Sequence, residues 1–581
     1  MTNHEFAEIF ARIGDMLDIL GENRYKVLAY RRAAENIRHL PQDLRSYWQS
    51  GSLQDIPGIG PAIEEKIEEL LTTGRLEFYE RLQDQVPVGV VSLLQIPDVG
   101  PKTARLLWER LGVQSVTEVE EAARAGRLRT LPGLGSKSEA KILAGIQALH
   151  RRSDRIPLGT AWPAAAALLK QLDATCPEAT QTAVAGSLRR MRSTIGDIDL
   201  LAASLAPAAV MRTFTALPQI VEVILSGSTK SSVRLYNGLQ TDLRVLDPDR
   251  WGAALQYFTG SQAHNIHLRE IAQKQGLSLS EYGFKREDGS EIRCPEEAMV
   301  YETLGLLWIP PELREDRGEI EAALAGKLPR LVEGSDIQGD LHAHTDWSDG
   351  ASSLAEMAEA ARQRGYRYLV ISDHTQSLGI ARGLTLERLQ AQRAEIQALN
   401  ARWDDFTLLQ GCELEIKADG SLDFPDEVLA RLDFVVASVH TSLRQDPDQI
   451  TARILNAIRN PYVDVIGHPS GRILGQREES AADLEAILQA AAETSTALEI
   501  NSTPNRLDLD DIHVRRAVEL GVKLAINSDA HHTGGLDSLI YGLATARRGW
   551  ATATDILNSL SLEDLRAWRQ ARIARATGDK G

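Results

Sequence analysis

Cysteine is scarce. Three occur in 581 residues, Cys176, Cys294 and Cys412, far apart and odd in number. That excludes a disulfide framework and a Cys-x-x-Cys metal site, and it fits a reducing cytoplasm. No apolar run reaches the length of a membrane span. The opening "MTNHEFAEIFARIGDML" lacks the basic and apolar regions of a secretory signal, so no membrane partner is expected. Basic excess is also missing: the net charge is −17. It is uneven, with 39 Lys/Arg against 44 Asp/Glu in residues 1–335 and 25 against 37 in 336–581. Basic groups cluster locally in "YRRAAENIR", "LHRRSDR" and "SLRRMR", and enzymes that hold metals need acids, so the charge does not exclude a nucleic-acid partner. The chain is too long for one core and predicts three or four domains. Its 43% hydrophobic and 25% charged residues are those of ordinary globular proteins.

A repeat fills the first third: "LQDIPGIGPAIEEKIEELL", "LLQIPDVGPKTARLLWERL" and "LRTLPGLGSKSEAKILAGI". Each reads apolar–Pro–x–apolar–Gly, then an amphipathic helix. Glycines permit a tight turn, and the following helix starts with exposed N–H groups that can meet a phosphate without using charge. The pattern resembles the helix-hairpin-helix motif, which grips DNA backbone irrespective of sequence. By that resemblance Gly58 and Gly60, Val99 and Gly100, and Gly133 and Gly135 would contact DNA backbone. The second copy has Asp98 where a glycine is expected, and a carboxylate there would repel phosphate. Packing of helical hairpins alone would give the same pattern.

From about residue 160 the texture changes to strands. In "GDIDLL", alternation puts Asp197 and Asp199 on one face, and "LQTDLRVLD" puts Asp242 and Arg244 on one face of a second strand. Adjacent carboxylates repel unless a cation lies between them. Three aspartates without nearby His or Cys make a hard oxygen site, suited to two Mg²⁺ or Mn²⁺ bridging phosphate oxygens. Gly186 and Ser187, followed by Arg189 and Arg190, offer a turn, a hydroxyl and guanidinium groups to the far phosphates of a nucleotide.

Eight of the 13 histidines lie after residue 340. "GDLHAHTDWSDG" supplies His342, His344 and Asp349. Downstream, "ISDHT" adds His374, "GCELEI" Glu413, "ASVHTSL" His440, "VIGHPSG" His468, and "NSDAHH" Asp529 and His531. Most follow short β-rich apolar runs separated by helical stretches, the layout of a β/α barrel whose strand ends converge on one face. Nine such ligands can hold two or three divalent ions, and the imidazole–carboxylate mixture suits Mn²⁺, Zn²⁺ or Fe²⁺ better than Mg²⁺ alone. Clustered cations acidify water and neutralise a phosphoester, with Glu413 as the bridging candidate. Arg472 could contact phosphate or be a surface residue. His513 and His532 read as surface residues.

"GSLRRMRSTIGDIDLL" and "YFTGSQAHNIHLRE" resemble the palm and thumb of X-family DNA polymerases, over roughly residues 1–310. The family implies Asp197, Asp199 and Asp242 as metal-holding catalytic residues and Gly186, Ser187 and Arg190 at the triphosphate. It further implies Tyr257, Phe258 and Gly260 along the sugar, with Asn265 and Arg269 by the minor-groove edge of the nascent pair and template. Lys66 matches a lyase lysine of the first hairpin helix, while Ala62 stands where a supporting lysine occurs in the family. The histidine pattern resembles the polymerase and histidinol phosphatase (PHP) domain over about 336–575.

The expected fold is multidomain. A helix-hairpin-helix all-α region is followed by an α+β palm and thumb and a distorted PHP barrel. The expected domains are 1–85, 86–155, 156–250 (palm), 251–315 (thumb), 316–338 (a linker, with some mobility between domains) and 339–575 (PHP). The expected function is gap-filling DNA synthesis on gapped or nicked DNA with dNTPs, two Mg²⁺ in the palm, and a Mn²⁺- or Zn²⁺-dependent 3′–5′ exonuclease or abasic-site nuclease in the PHP domain. No obligate protein partner is evident. Two other readings are a small-molecule phosphatase, whose hairpins would have no purpose, and a non-catalytic DNA-binding scaffold.

Overall fold

The computed structural model describes residues 3–38, 44–56, 58–96, 99–152, 155–235 and 238–578. Asp98 lies outside them. The chain forms two compact units, residues 1–154 and 155–581.

The first unit is all-α. One hydrophobic cluster runs through it from Phe6 to Ile146, joining both helical segments that the sequence separates at residue 85. Each repeat copy becomes a 3-10 turn followed by a helix, the first being Leu53–Asp55 and Pro61–Thr73. Proline at the first helical position, Gly74 left-handed at the C-cap and buried Ile63, Ile67 and Leu70 on one face explain that helix.

The second unit begins with the palm. A short ribbon pairs β1 (Ile156–Pro157) with β3 (Thr194–Ile195). The main sheet contains β2 (Gln181–Val184), β4 (Ile198–Ala203), β5 (Ile220–Ser226), β6 (Lys230–Leu235) and β7 (Gln240–Leu246), in the order β2-β4-β7-β6-β5. β4 and β7 run parallel at its centre. The thumb follows, with helices Trp251–Thr259 and Gln262–Lys274 and the antiparallel strands β8 (Leu277–Ser280), β9 (Gly283–Arg286) and β10 (Glu291–Ile292).

Seven parallel strands then form the barrel: β11 (Gly339–Ala343), β12 (Tyr368–Ile371), β13 (Thr407–Glu415), β14 (Phe434–Ser438), β15 (Val465–Ile466), β16 (Ala497–Asn501) and β17 (Leu524–Asn527), in sequential order. All except the first residue of β13 are buried, as strands covered on both faces must be, which explains their nearly continuous apolar runs. A parallel bridge between Ala343 and Ala530 closes first strand toward last. Asp529 N donates to His342 O at 3.0 Å and His344 N to Ala530 O at 2.8 Å.

The segment read as a mobile linker is instead packed. Its helix Glu319–Leu324 buries Glu319, Ile320 and Ala323. Val332 N donates to Ala551 O at 3.0 Å, Arg547 Nη1 to Val332 O at 2.9 Å and Arg317 Nη1 to Asp511 Oδ2 at 3.0 Å. Leu507 and Tyr541 of the barrel join the palm's hydrophobic cluster. The composition of the segment, proline-containing and charged, hid these long-range contacts.

Candidate active sites

In the palm, Asp199 on β4 and Asp242 on β7 are register partners, and Asp197 immediately precedes β4. The sequence expectation that the three meet holds geometrically. Burial, then the charges of Asp197 and Asp242, push the Asp199 carboxyl up to about 7. Burial also acts upward on Asp242, but hydrogen bonds from Lys230, Ser232 and Gln240 outweigh it and hold that carboxyl below the ordinary range. Lys230 Nζ lies 2.8 Å from Asp242 Oδ2. It follows the turn Gly227-Ser228-Thr229 and opens the neighbouring strand β6, and nothing local in the sequence announces the pairing. Concentrated negative charge, partly neutralised by a lysine, is a set of hard oxygen donors fitted to a divalent cation.

Gly186 is left-handed at φ 59°, and a Cβ there would collide with the Asp199 carboxylate, so glycine is required where the loop passes the acids. Ser187 follows it at the start of the short helix Gly186–Arg189. Arg190 is buried. Its Nη1 donates to Thr259 O at 2.5 Å and its Nε to Glu315 Oε1 at 3.1 Å. Its guanidinium is thus engaged within the protein, beside Gly260 (φ 69°). Arg189 is likewise committed, to Glu297 and Thr259. The Tyr257 and Phe258 rings stand edge to face, and Arg244 stacks 4.7 Å over Phe258. Asn265 bonds Tyr257 O and Gln256, and exposed Arg269 bonds Asn265 O.

All nine ligands expected in the barrel converge. Three groups hold one ligand atom per residue within 4.8 Å of one another: His344, Asp349, His374 and His531; His342, His344 and Asp529; His374, Glu413 and His440. His468 Nε2 lies 3.0 Å from Glu413 Oε1, which puts Glu413 at the centre of five imidazoles. Three histidines deep in the barrel fit metal ligation: among the described residues, His344 Nδ1, His374 Nδ1 and His468 Nδ1 have no hydrogen-bond partner. His374 Nδ1 nevertheless stands 2.9 Å from Glu413 Oε2, without hydrogen-bonding geometry, as two ligands of one cation would. Burial and then His531 and His374 bring His344 down to about 3, leaving it neutral, the form that ligates. Burial opposes ionisation of Glu413, but His440, His374 and His342 hold it well below the carboxylate range. The mixed nitrogen and oxygen set accepts borderline divalent ions.

Two buried acids went unpredicted. Glu499 Oε1 accepts from His342 Nδ1 at 2.7 Å and Glu415 Oε2 from His440 Nδ1 at 2.7 Å, fixing which ring nitrogen faces the cluster. Their signal in sequence is a glutamate inside an apolar strand, in "TALEIN" and "CELEI". Arg472 corrects the phosphate expectation: it is spent on the carbonyl oxygens of Arg506 and Leu507 and lies 3.6 Å from Glu479 and 3.5 Å from Asp510. Those two acids and His513 form a fourth cluster, whose charge Arg472 already offsets.

In the first unit, Gly58 and Gly133 are left-handed at φ 81° and 80°. Gly60 and Gly100 cap their helices at φ −95° and −83°, and a Cβ on either, or on Gly135, would meet nothing within 4 Å. Val99 is buried, so only its backbone is available at the turn. Lys66 Nζ donates to Ala62 O at 2.9 Å and lies 5.2 Å from the centre of the Phe78 ring, which Lys26 also approaches at 5.7 Å. Lys26 thus brings a second ammonium to the same ring, although Ala62 supplies none.

A palm–thumb module joined to a PHP-type barrel and preceded by helical hairpins defines the class: an X-family nucleotidyltransferase carrying a phosphoesterase domain. Family descriptions match accordingly: a helix-hairpin-helix domain over residues 1–76, a SAM-like helix-hairpin-helix tandem over 90–148, the DNA polymerase beta thumb over 254–315 and the PHP domain over 340–503. The DNA polymerase/3′–5′ exonuclease PolX of Bacillus subtilis is 39% identical over 571 residues, 98% of this chain and 99% of that protein. Rat DNA polymerase lambda is 25% identical over half of this chain and 53% of its own length. A probable phosphatase of Thermoanaerobacter is 31% identical over 38% of this chain and 89% of its own. The chain belongs to the bacterial PolX family.

Proposed function

We propose that this DNA polymerase and 3′–5′ exonuclease fills short gaps during DNA repair, with the palm carboxylates serving synthesis and the barrel cluster serving hydrolysis. The small-molecule phosphatase reading accounts for neither palm nor hairpins. Among the described residues no helix is long and apolar enough to cross a membrane.

The observation that carries the reading is the presence of two separate donor sets of different chemistry in one compact unit, carboxylates alone in the palm and imidazoles with carboxylates in the barrel. Divalent cations bound there would supply positive charge against phosphate oxygens and acidify water or a primer hydroxyl. Asp197, Asp199 and Asp242 would hold Mg²⁺ and orient the primer end toward the incoming dNTP. Gly186, Ser187 and Arg190 would border its triphosphate, and for Arg190 that requires exchanging Thr259 or Glu315 for phosphate. Tyr257, Phe258 and Gly260 would wall the sugar, with Asn265 and Arg269 beside the base pair. His342, His344, Asp349, His374, Glu413, His440, His468, Asp529 and His531 would hold two or three Mn²⁺ or Zn²⁺, with Glu413 between them. The hairpin glycines would admit the backbone of gapped or nicked DNA. Lys66 would attack an abasic sugar if the lyase reaction occurs.

Primer extension and degradation on a single gapped duplex, with Mg²⁺ and Mn²⁺ compared, tests this. Extension and 3′-end shortening should both occur and respond differently to the two ions. A protein that cleaves free phosphomonoesters faster than DNA and adds no nucleotide would overturn it.

A further inference from the structure

The palm does not hold the loop Gly186–Arg192 by itself. Arg548 ends the helix Leu539–Arg548, which belongs to the barrel. Its Nη1 donates to the carbonyl oxygen of Arg190 at 2.7 Å and lies 3.0 Å from Glu315 Oε1. Glu315 also takes Arg190 Nε at 3.1 Å and Arg192 Nη1 at 3.3 Å. Arg548 Nη2 is anchored on Asp511 Oδ2 at 2.8 Å, which Arg317 shares at 3.0 Å. The side chains of Arg548, Glu315 and Arg190 are 3%, 9% and 11% exposed.

Gathering three guanidinium groups around one buried carboxylate is an expensive way to fill an interface, because apolar packing would do so without desolvating charge. The expense specifies geometry. Arg548 grips the backbone of Arg190 while Glu315 grips its side chain, and the far end of that side chain is fixed to Thr259 O, next to Gly260. The turn beside the acids and the turn read as the sugar wall are thereby tied together, and the tie is anchored in the barrel.

We infer that Arg548 is a positioning residue for nucleotide addition, setting the triphosphate loop from the barrel so that dNTP affinity depends on a residue of the nuclease module. This rests on the reading of the palm as the polymerase centre. Loss of the grip leaves the acids in place but lets the loop wander, which acts on nucleotide binding before it acts on chemistry.

The test uses the full-length protein on a one-nucleotide gap, measuring KM for dNTP, kcat, affinity for the gapped duplex and exonuclease rate. R548A should raise KM for dNTP about tenfold, the scale of a lost charge-assisted hydrogen bond, with kcat changed far less. DNA affinity and exonuclease rate should stay at wild-type values. R548K, which keeps the charge and fewer donors, should fall between, and E315Q combined with R548A should add little to either alone. If R548A melts early, R548K with E315Q carries the same comparison. An unchanged KM in these variants, or an equal fall of dNTP affinity, kcat and exonuclease rate together, overturns the positioning role. A wild-type protein that adds no nucleotide overturns the palm reading instead, so the two failures are distinct.

Discussion

Asp199 and Asp242 face each other as register partners on adjacent parallel strands, and Gly186 is the residue that lets a loop cross beside them. D199A should therefore abolish nucleotide addition, by at least about a thousandfold, because charge stabilisation in the transition state is lost. Exonuclease activity of the same preparation should persist. Primer extension and degradation on one labelled substrate decide it, and parallel loss of both activities contradicts separate centres.

G186A should act on the same centre from the backbone. Left-handed φ disfavours alanine, and the new methyl meets the Asp199 carboxylate. A stability loss of about 1–3 kcal/mol is expected, together with a polymerase defect far larger than that of an alanine at an unstrained glycine. Thermal melting and extension rate measure both.

E413A should remove the exonuclease and lower the bound metal per chain, since Glu413 approaches His342, His344, His374, His440 and His468. Elemental analysis after gel filtration counts the ions. Unaltered metal content would remove Glu413 from the ligand set.

Gly60, Gly100 and Gly135 separate folding from DNA contact. Nothing crowds them, so alanine there should leave the melting temperature nearly unchanged. Affinity for a gapped duplex should weaken about three- to tenfold per site where a phosphate contact is blocked. Fluorescence anisotropy provides the measurement. G58A, at φ 81°, should cost stability as well.

Glu297 gives a pH dependence. Arg189 reaches it through two bonds of 2.6 and 2.9 Å, Arg314 at 2.6 Å and Trp308 at 3.0 Å. Burial alone would raise its pKa, but Arg314 and Arg189 hold it well below the ordinary 4.5. A depressed folded pKa stabilises above the unfolded value, and the benefit fades as pH falls below 4.5 toward the folded one. E297Q should therefore cost about 3–5 kcal/mol at neutral pH, leaving Arg314 buried without its counter-charge. Its melting temperature should converge on wild type as the pH is lowered through that window.

The sequence revealed residues whose chemistry is local. "GDIDLL" and the histidines after apolar runs are legible because strand alternation and the β/α layout fix where a side chain points. Glu499 and Glu415 left only the faint signal of a glutamate inside an apolar strand, and Lys230 left none, because their partners lie in other strands or beyond a turn. The packing of 316–338 and the commitment of Arg472 and Arg190 to internal acceptors escaped for the same reason. Composition says how polar a segment is and nothing about what it meets.

The bridge between Ala343 and Ala530 sets a schedule for biosynthesis. His342 and His344 leave the ribosome long before Asp529 and His531, yet each needs the other to complete the cluster. The DNA-degrading centre of a nascent chain thus stays incomplete until the last strand has docked, and Arg548, which grips the palm loop, emerges later still.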